Sequence, residues 1–308
     1  MILCCGEALI DMVPERIASG AFGYVPRPGG AVFNTAIALG RLGAAAGMLT
    51  GLSRDLFGQQ LDEALAGSNV DRRFILRTDR PTTLAFVALD DGQASYTFYD
   101  ENSAGRMLSA GDMPRLPKDV TALFFGGISL ACEPGAEAYR ALAERGAEGR
   151  AVMLDPNIRP GFIADEARYR DRLEAMIALA DIVKVSDEDL AWIMANGTSL
   201  DAQAETLLER GPSLLIVTRG SAGARLYLRG GARLNVPAER ARVVDTIGAG
   251  DTFNAGVLAH LAGRGLLTKS ALRDLPPDAG RAALAFGARV AAVTVSRAGA
   301  NPPWADEL

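Results

Sequence analysis

The sequence predicts an α/β protein, with a mostly parallel central sheet flanked by helices on both faces and a small separate β-sheet. Three observations carry that expectation. After Pro114 and Pro117, short apolar runs at 122–128, 151–154, 182–185 and 214–217 alternate with helical segments, the rhythm of βαβ units. Before them, runs at 83–89 and 94–99 flank the turn Asp90-Asp91-Gly92-Gln93, and the second run alternates polar and aromatic residues. That is a hairpin signal. Finally, 308 residues with 49% hydrophobic content can bury a sizeable core.

Taken in order, residues 2–11 (Ile-Leu-Cys-Cys-Gly-Glu-Ala-Leu-Ile-Asp) read as one buried strand whose C-terminal end presents Asp11. Ligands of open α/β sheets gather at such ends, so Asp11 is a candidate contact as well as a strand-terminating residue. Gly29 and Gly30 permit close backbone approach, and the alanine-rich run behind them has helical spacing as far as Gly43. Asn34 falls in its first turn, where an amide can meet sugar hydroxyls or cap the helix. Residues 50–53 resemble a strand end, and 55–61 open another helix. Residues 20–25 join the hairpin in the small antiparallel sheet, drawn from about 12–28 and 82–108 and inserted in a single domain spanning 1–308. A sheet with one exposed face needs a cover: a substrate, a partner subunit, or both. Polar clusters then mark three strand ends: Asp155-Pro156-Asn157-Ile158-Arg159, Lys184-Val185-Ser186-Asp187-Glu188-Asp189, and Thr218-Arg219-Gly220-Ser221-Ala222-Gly223. Three such ends feeding one edge of a sheet point to a site.

A net charge of −5 argues against nucleic acid or an anionic membrane as partner. An anionic ligand must rely on local amides and a few cations, and the only lysines are Lys118, Lys184 and Lys269. Cys4, Cys5 and Cys132 offer neither a disulfide framework nor metal-ligand spacing. The single histidine, His260, lies in a helical segment as a surface or packing residue, which leaves no serine–histidine or His-zinc chemistry. With no leader-like start and no apolar run of spanning length, the expected compartment is the cytoplasm.

Asp245-Thr246-Ile247-Gly248-Ala249-Gly250-Asp251 precedes a helical segment, 252–259. Gly248, Ala249 and Gly250 carry almost no side chain, so their N–H groups can close around an anion at the positive end of the helix dipole. Asp251 is then either an N-cap or the group that takes a proton from an acceptor hydroxyl while the amides hold a migrating phosphate. No Gly-Lys pair and no G-x-G-x-x-G occurs, so the P-loop, the dinucleotide fingerprint and the protein-kinase loop are absent. A bound nucleotide would depend on Gly248 to Gly250, helped by Thr218, Gly220 and Gly223, with Arg159 supplying charge. In a loose transition state the hydroxyl loses its proton late, so position matters more than basicity for Asp251.

These residues resemble the ribokinase-like, or PfkB, family of sugar kinases over essentially the whole chain. Gly29-Gly30-Ala31 with Asn34 and Ala36 match one signature, and Asp245-Thr-x-Gly-Ala-Gly-Asp251 matches the other. The runs 5–11, 98–104, 155–159 and 295–299 look most like the bacterial fructokinases within it. The resemblance implies a Rossmann-like domain with a β lid that doubles as a homodimer interface. It also implies ATP and Mg2+ as cofactors, K+ as a further ion, and γ-phosphoryl transfer to a neutral sugar, D-fructose first. Tagatose, ribose, a nucleoside or 2-keto-3-deoxygluconate are alternative acceptors. A sugar-binding regulator without turnover is a different class, disfavoured by the intact Asp251; a nicotinamide dehydrogenase is disfavoured by the missing glycine fingerprint. By the same resemblance Asp251 is the base, and Gly248, Ala249 and Gly250 form the anion hole. Asp11, Gly29, Gly30, Asn34, Phe98, Tyr99, Asp100 and Arg159 would meet the sugar. Asn157, Lys184, Ser186, Thr218, Gly220 and Gly223 would meet the nucleotide, and carbonyls around Asp245 and Ile247 would form a monovalent-cation loop. Ribokinases carry N-x-x-E where this chain has Ser186-Asp187-Glu188-Asp189, leaving Ser186 and Asp189 to act on magnesium and phosphate through water. Ketodeoxygluconate kinases place an Arg where this chain has Asp100, a carboxylate that would repel an acidic sugar at short range.

Overall fold

A computed structural model describes residues 1–16, 19–90, 93–195 and 197–308. The first part comprises β1 (Ile2–Cys5), β2 (Leu9–Arg16), β3 (Phe22–Gly29), α1 (Ala31–Arg41), β4 (Ala46–Leu49), β5 (Gly51–Ser53), α2 (Leu56–Gly67), β6 (Leu76–Thr78), β7 (Leu84–Asp90) and β8 (Gln93–Tyr99). Strands then alternate with helices, two of them before the last strand: β9 (Ala122–Gly126), α3 (Gly135–Gly146), β10 (Ala151–Asp155), α4 (Glu166–Leu179), β11 (Ile182–Ser186), α5 (Asp187–Met194), α6 (Leu200–Glu209) and β12 (Leu214–Thr218). The chain closes with β13 (Ala224–Leu228), β14 (Arg233–Val236), α7 (Ala249–Gly263), α8 (Lys269–Arg273) and α9 (Pro277–Val295).

The main sheet has eight strands in the order β14-β13-β12-β11-β10-β9-β1-β4. From β12 to β4 all neighbours are parallel, and β13 and β14 extend the sheet antiparallel. That hairpin extension carries no apolar run long enough to stand out in the sequence. Alternate residues of β1 serve two cores: Ile2 and Cys4 pack among α1, α7 and α9, and Leu3 and Cys5 among α3 to α6. Burial on both faces is why these strands read as continuous apolar runs. From β1 the chain crosses first to β4 and later to β9 on the other side. The crevice at the carboxyl ends of β1 and β9 is therefore a topological switch point, where ligands of doubly wound sheets bind.

Residues 2–11 are not one strand. The chain leaves the main sheet after Cys5 and starts β2 at Leu9 in a second, four-stranded sheet of order β3-β2-β7-β8. A side chain at Gly6 would run into Val32 and Ser129, so the glycine lets the backbone turn there against α1. Asp11 thus belongs to the second sheet, not to the end of a main-sheet strand. The hairpin strands β7 and β8 form as expected; Asp91 and Gly92 of its turn lie outside the described residues. Paired positions share a face, and the register puts Asp11, Ala85 and Phe98 on one and Met12, Phe86 and Thr97 on the other. Tyr24, Phe86 and Tyr99 stack edge-on along that second face, with Tyr24 49% and Tyr99 59% exposed.

Candidate active site

The switch-point crevice widens into a cavity of about 990 Å³ between the main sheet and the second sheet. Asp11, Asn34, Phe98, Asp100, Arg159 and Lys184 line it, together with residues 246–251. The turn opening α7 supplies its floor. Gly248 adopts φ 77, and a side chain there would strike Ala300, so this left-handed step is open only to glycine. Asp251, in the first turn of α7, is buried at 8% exposure. The α1 helix packs on α7 and holds it from both ends of the residue: Asn34 Nδ2 donates to Asp251 Oδ2 at 2.9 Å, and Thr35 Oγ1 donates to its carbonyl at 3.1 Å. Burial pushes the Asp251 carboxyl up to about 7, against the lowering pull of Asn34. Asn34, expected to face sugar hydroxyls, spends its amide nitrogen on the acid.

Directly behind the turn lies a buried group assembled from three separate elements. Lys184 Nζ donates to Asp155 Oδ2 at 2.9 Å, and Asn254 Nδ2 donates to the same oxygen at 2.6 Å. Asn254 follows Asp251 by three residues and so shares its side of α7. All three side chains are buried. Burial opposes the lysine's charge most strongly of any one influence, but the charge and hydrogen bond of Asp155, with the charges of Asp189 and Asp251, together outweigh it and raise the pKa, so Lys184 remains a cation. Its Nζ lies 3.2 Å from where a side chain on Gly250 would begin, immediately against the anion cradle.

The opposite wall belongs to the second sheet and its neighbours. Asp11 projects from β2, and burial raises its carboxyl to about 6. A side chain at Gly29 would overlap Asp11 Oδ2, so Gly29 acts by leaving that carboxylate room and does not itself line the cavity. Gly30 does line it. Phe98 reaches across to Phe162 in an edge-on contact at 4.3 Å. Tyr99, expected to meet the sugar, lies 59% exposed on the sheet face opposite Phe98 and does not line the cavity. Asp100 is also not a lone charge, because Arg106 Nη1 donates to its Oδ1 at 2.9 Å. Glu7 sits where the two sheets join. Its Oε1 accepts from Ala31 N and its Oε2 from Ser129 N, and burial raises its pKa.

A family model described as pfkB family carbohydrate kinase matches residues 1–307. The chain belongs to that family. It is 50% identical over 279 residues to a fructokinase of Rhizobium leguminosarum bv. trifolii, covering 91% of this chain and 85% of the relative. The crystal structure of fructokinase with bound ATP from Xylella fastidiosa superposes with a TM-score of 0.88 at 32% identity, covering 97% of this chain and 93% of that one. Aminoimidazole riboside kinase from Salmonella enterica, complexed with aminoimidazole riboside and an ATP analogue, superposes with a TM-score of 0.83 at 26% identity, covering 99% and 97%.

Within this pfkB kinase, the remaining expected residues divide. Arg159 and Asn157 line the cavity, although Arg159 turns Nη1 back to the Ile158 carbonyl at 2.9 Å. Ser186 and Thr218 are register partners at the carboxyl ends of β11 and β12, with Gly220 and Gly223 in the turn beyond. These four stand beside Lys184 along the same sheet edge, outside the residues lining the cavity. Asp189 has both oxygens engaged by backbone, accepting from Ile158 N at 3.0 Å and Ser186 N at 3.1 Å. Asp245 shapes the cradle loop, accepting from Ile247 N at 3.0 Å and Gly299 N at 2.8 Å. Sequence reasoning missed Asp155, Asn254, Glu7 and Arg106 as site residues. Asp155 stood in a recognised polar cluster, Asn254 lay one helical turn past Asp251, and Glu7 fell within the run 5–11; Arg106 carried no signal. Chemically, the arrangement offers a buried carboxylate with a raised pKa, an amide cradle with a cation behind it, and a second carboxylate lining the same cavity.

Proposed function

We propose that this kinase transfers the γ-phosphoryl group of ATP to a hydroxyl of D-fructose. The observation that carries the reading is Asp251, buried beside the Gly248–Gly250 cradle and facing Asp11 across one cavity; the 50% identity to a fructokinase directs the choice of sugar. The sugar seats between Asp11 and Asp251, with Phe98 and Gly30 bounding it. Asp251, held by Asn34, accepts the proton of the attacking hydroxyl. The amides at the start of α7 and the Lys184 ammonium stabilise charge on the transferring group, as preorganised donors do. The triphosphate extends along Asn157, Ser186, Thr218, Gly220 and Gly223, and Arg159 closes over the reacting end.

Magnesium fits as an ion delivered with the triphosphate, since the described residues hold no cluster of three acidic, cysteine or histidine ligands and Mg2+ commonly leans on substrate phosphates. It would supply neutralisation of phosphate charge. The loop at Asp245 and Ile247 fits a potassium ion: Asp245 is occupied in holding the loop to Gly299, which leaves the main-chain carbonyls as the available oxygens. The second sheet, with about 82–108 and 12–28, acts as the lid, and its row of Tyr24, Phe86 and Tyr99 suits a homodimer interface. The cytoplasm is the proposed compartment; no helix among the described residues is long and apolar enough to cross a membrane. ADP release measured with fructose, tagatose, ribose, a nucleoside and a 2-keto-3-deoxy acid tests the reading. Fructose is expected to give the highest kcat/KM, and no turnover on any neutral sugar would overturn it.

A further inference from the structure

Asp100 and Arg106 form an ion pair within the lining of the substrate cavity. Asp100 is buried, and the Arg106 side chain is 31% exposed. Arg106 is held at four points: Nη1 on Asp100, Nε on the Glu133 carbonyl at 2.9 Å, its own N–H on Ser103 Oγ at 3.3 Å, and its own carbonyl on Gly135 N at 2.9 Å. A fixed guanidinium in a sugar pocket is the natural receptor for a substrate carboxylate, because its fork binds carboxylates in bidentate fashion. Here an internal carboxylate takes Nη1 and a main-chain carbonyl takes Nε, so neither pair of adjacent donors is left whole for a second carboxylate. An arriving acid would have to displace a buried aspartate, and the displaced charge would keep only the Cys132 thiol beside it in place of a cation.

We propose that Asp100 sets the acceptor class by occupying Arg106, so that the pair excludes acidic sugars as a competitor and not by simple repulsion. The inference rests on the sugar-kinase reading above and names the residue pair that confines it to neutral acceptors. It differs from repulsion by a lone Asp100 in one respect: the latent acid receptor is already present in the wild-type pocket. Removing the aspartate charge should expose it.

Asp100→Asn is compared with wild type, Arg106→Gln and the double variant. Two readouts are taken: the ratio of kcat/KM for 2-keto-3-deoxygluconate to that for fructose, and calorimetric binding of gluconate. The ratio is expected to rise about tenfold or more in Asp100→Asn, the scale of one charge-assisted hydrogen bond, and gluconate binding to rise with it. Both gains should vanish in Asp100→Asn/Arg106→Gln, and Arg106→Gln alone should show neither. An unchanged ratio and unchanged gluconate binding in Asp100→Asn overturn the proposal, as does a gain that survives in the double variant. Asp100→Ser is the second variant should the first not fold, and failure of both to fold assigns the pair to the fold and overturns the proposal. Wild type inactive on every neutral sugar defeats the parent reading instead, and gluconate binding still decides this one.

Discussion

Two carboxylates face one cavity, and their surroundings differ in kind. Asp251 belongs to the body of the molecule: it sits on a fifteen-residue helix, α7, that packs on α1 and α9, and Asn34 and Thr35 hold both its side chain and its backbone. Asp11 belongs to a four-stranded sheet outside the main one, projects from a strand, and has a glycine beside it instead of a donor. Burial raises both, to about 7 and about 6. The body side is crosslinked at the site by buried hydrogen bonds and an ion pair, whereas the second sheet is seated by apolar packing of Ile10, Met12 and Leu84 on the core and by Phe98 on Phe162. On the proposed reading, the chemistry falls on the side crosslinked by polar contacts and the recognition on the side seated by apolar packing. Positioning demands of this sort are steep, since small misplacements at the reacting end are costly.

Substitutions on the two sides should separate accordingly. The largest effect short of removing the base is expected from Lys184→Met, which strips the cation from the cradle and strands Asp155 in the interior. Turnover should fall about a hundredfold, the usual loss for one preorganised donor, and thermal stability should drop because a buried charge loses its partner. Steady-state kinetics and melting curves check both; an unchanged kcat would remove Lys184 from the cradle. Asp11→Ala should behave differently, raising the sugar KM about tenfold while kcat and melting temperature stay near wild type. A kcat loss as deep as that of Lys184→Met would erase the division between the two sides.

A smaller effect concerns stability and pH. The folded pKa of Asp251 lies above its unfolded value of 3.8, at about 7. The folded state therefore binds the proton more tightly, and stability is lost as pH rises from near 4 to about 7. Asp251→Asn has no such penalty. It should melt a few degrees above wild type at pH 8, and the gap should close toward pH 4. A wild type that matches or exceeds the variant at pH 8 would show that the carboxylate is well solvated in the folded state.

The central rhythm of β9 to β12, the first turn of α7 and the hairpin were all legible because each is set by local pattern: apolar runs, a small-residue turn before a helix, and alternation about a turn. The join at Gly6 was not, because two buried strands separated by three residues look like one apolar run. The adjacency of Phe98 and Tyr99 was itself a signal, since neighbours in a strand point to opposite faces and only one could enter the cavity. The Asp155–Lys184–Asn254 group and the Asp100–Arg106 pair depend on which strand ends and turns meet in space. Asn34 was found for its position, but its partner Asp251 lies 217 residues away, which no spacing rule reaches.

The central claim is that Asp251 accepts the acceptor's proton. Its most direct test is kcat/KM for fructose from pH 5 to 9, with nucleotide saturating, in wild type and Asp251→Asn. The wild type should rise with pH to a plateau above about 7. The variant should lie several hundredfold lower, without that rising limb, while its nucleotide affinity remains close to wild type; loss of one general acid–base group spans about 10²–10⁴. Near-normal turnover in Asp251→Asn would contradict the account.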